Sequence, residues 1–199
     1  MITKIILFVC LAVMVGMIVA AIFFKEALVT FLMQSQVLLH ARFLHIFAAT
    51  LFFSNAVVGM IWERRSLAAG NKEIILYTYD TVSFLDALLS SPLIILSLVG
   101  GLAMSFQLGD LMQIGWLSVG FLLFILSGVV WVITDIPTQY KVKKLMAQIR
   151  SEEKTLPVEL IRVMKLRSWV GFAGVLPLVA VFLLMVYKPH MTAVAQWFR

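Results

Sequence analysis

The sequence predicts an all-α integral membrane protein, a bundle of five transmembrane helices with short interfacial helices, and three observations predict it. The chain is 62% hydrophobic and only 13% charged, where an ordinary globular domain is about half apolar and about a quarter charged. Its mean hydropathy is +1.04. Several apolar runs reach the roughly 18–20 residues that a helix needs to cross a hydrocarbon core. In 199 residues no soluble class accommodates all three.

The first predicted span covers residues 5–24, between Lys4 and Lys25-Glu26. Its length and the lack of a small-residue cleavage site make it a retained helix rather than a signal peptide. Residues 26–39 are amphipathic and link it to the second span, about 40–62. A polar loop is expected from Glu63 to Glu73, with Gly70-Asn71 as its turn. Residues 72–86 read as a helical lead to the third span, about 87–106, in which Ser90-Ser91-Pro92 bends the helix. The fourth span, about 114–136, has Trp116 at one interface and Trp131 near the other, and ends at Thr134-Asp135-Ile136-Pro137. Residues 139–168 form a basic segment with two amphipathic helices parted by Thr155-Leu156-Pro157. The fifth span, about 169–187, carries Pro177.

Charge sets the orientation. Twelve Lys and Arg fall on the side of Lys4, Arg64, Arg65, Lys72 and the 139–168 segment, against four on the other. The positive-inside rule then puts the N-terminus in the cytoplasm and the C-terminus outside a bacterial inner membrane. The same rule accounts for the net charge of +6, and nothing marks a nucleic-acid surface. Cys10 is the single cysteine, so there is no disulfide framework and no paired-cysteine metal site. No phosphate loop, zinc-protease helix, nucleophile elbow or dinucleotide fingerprint occurs.

All three histidines fall toward the non-cytoplasmic side: His40 and His45 in the second span, His190 beyond the fifth. Imidazole from facing helices is how bundles hold metals and haem. His45 is therefore the candidate metal or haem ligand, with His190 as its partner from another span and Arg42 placed to pair a haem propionate. His40 does not join it, because residues five apart on a helix diverge by ~140°. His45 shares a face with Ala49, Ala56, Gly59 and Glu63, with Asn55 nearby, a stripe suited to close helix packing. Gly100-Gly101 reads the same way. Glu63, Asp80, Asp86 and Asp135 gather at the cytoplasmic face, where Arg64, Arg65 or Lys141 are the expected partners and an ion or proton relay is the alternative.

From about Arg42 to Ala147 the chain resembles a bacterial family of predicted integral membrane proteins, domain of unknown function 2269. The matching features are Leu44-His45 opening a helix, Ser90-Ser91-Pro92, Trp116 beginning a span, and Trp131 followed by Gln139. The resemblance implies four or five spans and no stated activity. A histidine after a leucine early in a span is also similar to the copper-resistance D and membrane protoporphyrinogen oxidase families, which implies copper or haem chemistry. The lysine that the oxidase pattern sets inside a span has no counterpart here, and Ser54-Asn55-Ala56 stands where that pattern is glycine-rich. Three readings result: an intramembrane haem b or copper protein using His45, a non-catalytic partner or assembly subunit (with a membrane protein or with itself), and a small transporter.

Overall fold

The computed structural model describes residues 23–109, 111–151 and 156–197, together with 5, 8, 9, 12, 13, 16 and 19. The first predicted span thus lies almost wholly outside the described residues. Beyond that span the described chain is mostly helical, and no strand occurs among the described residues. A short helix, α1 (Lys25–Leu32), breaks at Met33-Gln34 before the long α2 (Ser35–Ala69). Next come α3 (Lys72–Leu85) and α4 (Ser91–Leu108), joined without interruption by a π-helical turn over Asp86–Ser90. Then α5 (Gly115–Val130) and α6 (Ile136–Ser151) are joined likewise through Trp131–Asp135. Finally α7 (Val158–Tyr187) leads to a tail with one 3-10 turn, Val194–Gln196. Among the described residues, these helices after α1 make four rods.

Three helical stretches are long and apolar enough to cross a membrane: Ser35–Ala69, Lys72–Leu108 and Val158–Tyr187, with Gly115–Val130 a shorter apolar one. At 1.5 Å per residue, the 35 residues of α2 reach about 52 Å, against roughly 30 Å of hydrocarbon. The surplus lies at the Gly70 end. There the expected polar loop from Glu63 is instead helix as far as Ala69. Gly70, at φ 64°, closes it in the left-handed conformation that glycine adopts without penalty. Asn71 caps α3, accepting from the amides of Glu73 and Ile74.

The prolines bend the rods without ending them. Pro92 and Pro137 each stand just after a π-helical turn, so the i→i+5 spacing absorbs the missing N–H and the steric clash. Side-chain hydroxyls brace the same turns: Ser91 donates to the Asp86 carbonyl at 3.3 Å, Thr134 to the Val130 carbonyl, and Thr138 to the Thr134 carbonyl at 2.9 Å. That is why the fourth predicted span does not stop at Pro137. Pro177 sits inside α7, and Ser127 of α5 donates to the Gly174 carbonyl one turn before it at 2.6 Å.

Burial divides the bundle into two regimes. At the Gly70 end of the bundle, α3, α6 and the first half of α7 enclose a core of large side chains, Ile75, Leu76, Tyr79, Val142, Leu160 and Met164. Along the apolar stretches the buried positions are mostly small: Ala48, Ser97, Gly100, Ala103, Gly120 and Ser127. Lipid is as apolar as leucine, so only close backbone approach gains anything there. The basic segment is accordingly not a loose anchor: α6 and the head of α7 are walls of a cap built on the rods.

Candidate functional site

Two cavities lie along the bundle axis, and each contains residues singled out by the sequence. The larger, about 600 Å³, is lined by Arg42 and His45 of α2, Ser97 and Gly101 of α4, Trp116 of α5, and Lys188 just beyond α7. Its remaining walls are chiefly apolar. Such a shape, apolar with few converging polar groups, is the usual form of a small-molecule site.

The helix contact beside it is set by two glycines. A methyl group at Gly100 would lie 2.8 Å from the Ala41 carbonyl oxygen and 3.0 Å from the His45 Cβ. One at Gly101 would lie 3.0 Å from the His45 Cε1. The pair thus lets α4 press against α2 and gives the imidazole room. His45 Nδ1 donates to the Ser97 carbonyl at 2.6 Å, since a carbonyl can only accept. That bond fixes the ring and its tautomer, and it leaves Nε2 with a free lone pair. A histidine held in this way is the standard arrangement of a metal-ligating imidazole.

His190 and His40 are exposed, and neither lines this cavity. The expected pairing of His45 with His190 is therefore not assembled: α7 ends at Tyr187, and Lys188, at φ 45°, turns the chain away. Arg42 stands on the same wall as His45, the placement that its spacing on the helix implies. Among the described residues no group of three His, Cys, Asp or Glu could hold a metal ion.

The smaller cavity, about 140 Å³, lies toward the cap and is lined by Glu63 of α2, Asp86 and Ser90 of the first π-helical turn, Ser127 of α5, and Arg167 and Gly174 of α7. Here Arg167 carries the cluster. Its guanidinium lies 3.5 Å from Glu63 Oε1 and 3.7 Å from Asp86 Oδ2. It also stands over the Tyr79 ring, 5.3 Å from the centroid, while the Tyr79 hydroxyl donates to the Gln139 carbonyl at 2.9 Å. Asn55 donates to Asp86 Oδ1 at 3.2 Å and to Ser90 Oγ at 2.8 Å, and Ser90 donates to Asp86 Oδ1 at 3.3 Å. Guanidinium and carboxylate bury well only in such company.

Arg167 was hidden in the sequence among the eight cations of the basic segment. The expected partners of the acids do other things: Arg64 and Arg65 are exposed, and Lys141 pairs with Glu159 at 2.8 Å. Asp80 is exposed, and the side chain of Asp135 lies outside the described residues. One signal was available. Arg167 stands seven residues after Leu160 and three after Met164, the spacing of an inward stripe on one helix.

The small-residue stripe of α2 is taken up within the chain. Ala48 is fully buried, a methyl at Gly59 would meet Val82 at 3.3 Å, and α2 packs most extensively along α4. No curated protein and no solved structure matches the chain. Residues 39–189, which take in all but the first turn of the four rods and leave out the first predicted span, match the family model described as predicted integral membrane protein (DUF2269), and the chain belongs to that family.

Proposed function

We propose that this integral membrane protein binds haem b, or a similar flat tetrapyrrole with carboxylate side chains, in the outer cavity. His45 would hold the group through Nε2, and Arg42 and Lys188 would receive its carboxylates. The carrying observation is the His45–Ser97 bond, which presents one imidazole nitrogen in a cavity of about 600 Å³. Haem suits this site better than copper, because the macrocycle brings four donors of its own and needs only one or two from protein. A copper ion would need a ligand group that the described residues do not assemble. When bound, haem would supply a one-electron iron couple. The protein's share is to orient the imidazole, neutralise the carboxylates and keep the site apolar. We place the site near the outer face of a bacterial inner membrane, with the cap in the cytoplasm, on the uneven distribution of Lys and Arg between the two sides.

The test is an absorption spectrum of detergent-purified protein from haem-replete cells, followed by hemin titration. A Soret band is expected in the wild type, absent in His45→Ala and weakened in Arg42→Ala and Lys188→Ala. Wild-type protein that stays colourless through the titration removes the proposal.

A further inference from the structure

The two cavities are neighbours. Phe52, Ile94, Phe124 and Leu178 line both of them, so one layer of apolar side chains, contributed by four rods, stands between the His45 cavity and the Asp86 cavity. On the outer side of that layer the space is large and reaches Arg42 and Lys188. On the cap side it is small and reaches the Arg167 cluster. The two cavities thus meet at one apolar constriction.

The chemistry at the inner end favours a proton over a metal cation. A hard cation wants several oxygen ligands with their lone pairs free. Asp86 instead faces nitrogen and hydroxyl donors: the Asn55 amide and the Ser90 hydroxyl at Oδ1, and the Arg167 guanidinium at Oδ2. The guanidinium charge repels a metal ion, whereas a carboxyl that gains and loses a proton is accommodated, since Ser90 can turn its hydroxyl from donor to acceptor. The two acids also differ in access. The Glu63 and Arg167 side chains are 8% and 7% exposed, whereas Asp86 is 27% exposed. Glu63 is fixed by the guanidinium, and Asp86 is the acid in touch with the outside. It also sits on a π-helical turn, a feature frequent where a helix has been opened for function.

We propose that protons pass along the bundle axis between the cap side and the outer cavity, with Asp86 as the carrier and the Phe52–Ile94–Phe124–Leu178 layer as the barrier. Apolar constrictions of this kind gate by wetting and drying, and ionisable groups within a helical bundle are the usual members of proton relays. The route is independent of the haem reading, because its carrier and barrier are made wholly of this chain's own residues.

Full-length protein is reconstituted into lipid vesicles with an entrapped pH-sensitive dye, and a potassium diffusion potential drives proton entry. Its absorption spectrum is recorded beforehand, so that the haem reading is judged separately and the flux alone decides this one. Wild-type vesicles should acidify faster than protein-free ones. Asp86→Asn, which keeps the size and hydrogen-bonding capacity of the side chain, should lower the flux roughly tenfold or more, as loss of a relay acid does. Leu178→Ala, which thins the barrier, should raise it, and Asp80→Asn, at an exposed position, should leave it unchanged. Ser90→Ala, a smaller change in case Asp86→Asn misfolds, should lower it. Wild-type and Leu178→Ala vesicles that both behave as protein-free ones overturn the proposal. So does an Asp86→Asn protein that conducts like the wild type, or uptake of radioactive sodium without acidification.

Discussion

The guanidinium of Arg167 meets the carboxylate of Glu63 at 3.5 Å, with both side chains less than a tenth exposed. This contact ties the head of α7 to α2 where the cap gives way to the apolar bundle, and the same guanidinium reaches Asp86 at 3.7 Å. Removing one member of such a group costs more than removing all of it, because the survivors stay buried as uncompensated charges. Arg167→Ala should therefore destabilise by about 3–5 kcal/mol. Adding Glu63→Gln to that variant should restore part of the loss. Thermal unfolding of the four proteins of this cycle in one detergent measures it, and additive effects would show that the two residues do not interact.

Gly100 and Gly128 make a matched pair with opposite expected signs. At Gly100 a methyl group would press on backbone, the Ala41 carbonyl oxygen, at 2.8 Å. Gly100→Ala should force α4 away from α2 at a cost of about 1–3 kcal/mol, and should also disturb any spectrum that depends on His45. At Gly128 nothing lies within 4 Å. Gly128→Ala should then stabilise by about 0.5–1 kcal/mol through helix propensity alone. Unfolding midpoints of both variants check the pair, and a neutral Gly100→Ala would mean that the two helices can part at little cost.

The apolar runs were legible because bilayer thickness leaves them one explanation, and His45 and Gly100-Gly101 were legible because helical spacing decides which face each occupies. Helix ends were harder. Glu63-Arg64-Arg65 reads as a loop by charge, but a helix that leaves the membrane into a cap has no reason to stop at a charged residue. Pro137 reads as a stop, and the π-helical turn over Trp131–Asp135 makes room for it within the helix. The cluster at Arg167 depends on which of eight similar cations points inward, and tertiary packing settles that rather than composition. His190 failed as a partner for His45 for the same reason.

The Lys141–Glu159 contact, at 2.8 Å, joins α6 to α7 on the cap surface. The hydrogen bond and charge of Lys141 hold the Glu159 carboxyl below its ordinary range, with Arg162 adding a smaller pull the same way. A carboxyl lowered on folding contributes stability above its unfolded pKa and loses it as the pH falls through the folded value. Stability should thus decline slightly on acidification below the normal carboxylate range, and Glu159→Gln should remove that component. The pair is half-exposed, so the effect should be small and should fade with salt. Unfolding curves at several acidic pH values, at low and high salt, test it; an unchanged pH profile in Glu159→Gln would show that the contact carries nothing.

The tail after α7 folds back on the start of α5, and Gly115 makes that possible. A methyl group there would fall 1.8 Å from the Met191 carbonyl oxygen, which no rotamer change can relieve. Ser118, fully buried, accepts from the Val194 amide at 3.1 Å while donating to the Gly115 carbonyl at 3.0 Å. Lys188 lies over the Trp116 ring, 5.5 Å from its centroid, and both line the larger cavity. Gly115→Ala should release the tail, and Ser118→Ala should loosen it by leaving a buried amide without its acceptor, at about 1–3 kcal/mol. Hydrogen exchange at Val194 and Ala195 should accelerate in both variants, while the backbone amides of α3 and α6 keep their protection. Exchange at Val194 unchanged in Gly115→Ala would mean that the tail does not depend on this docking.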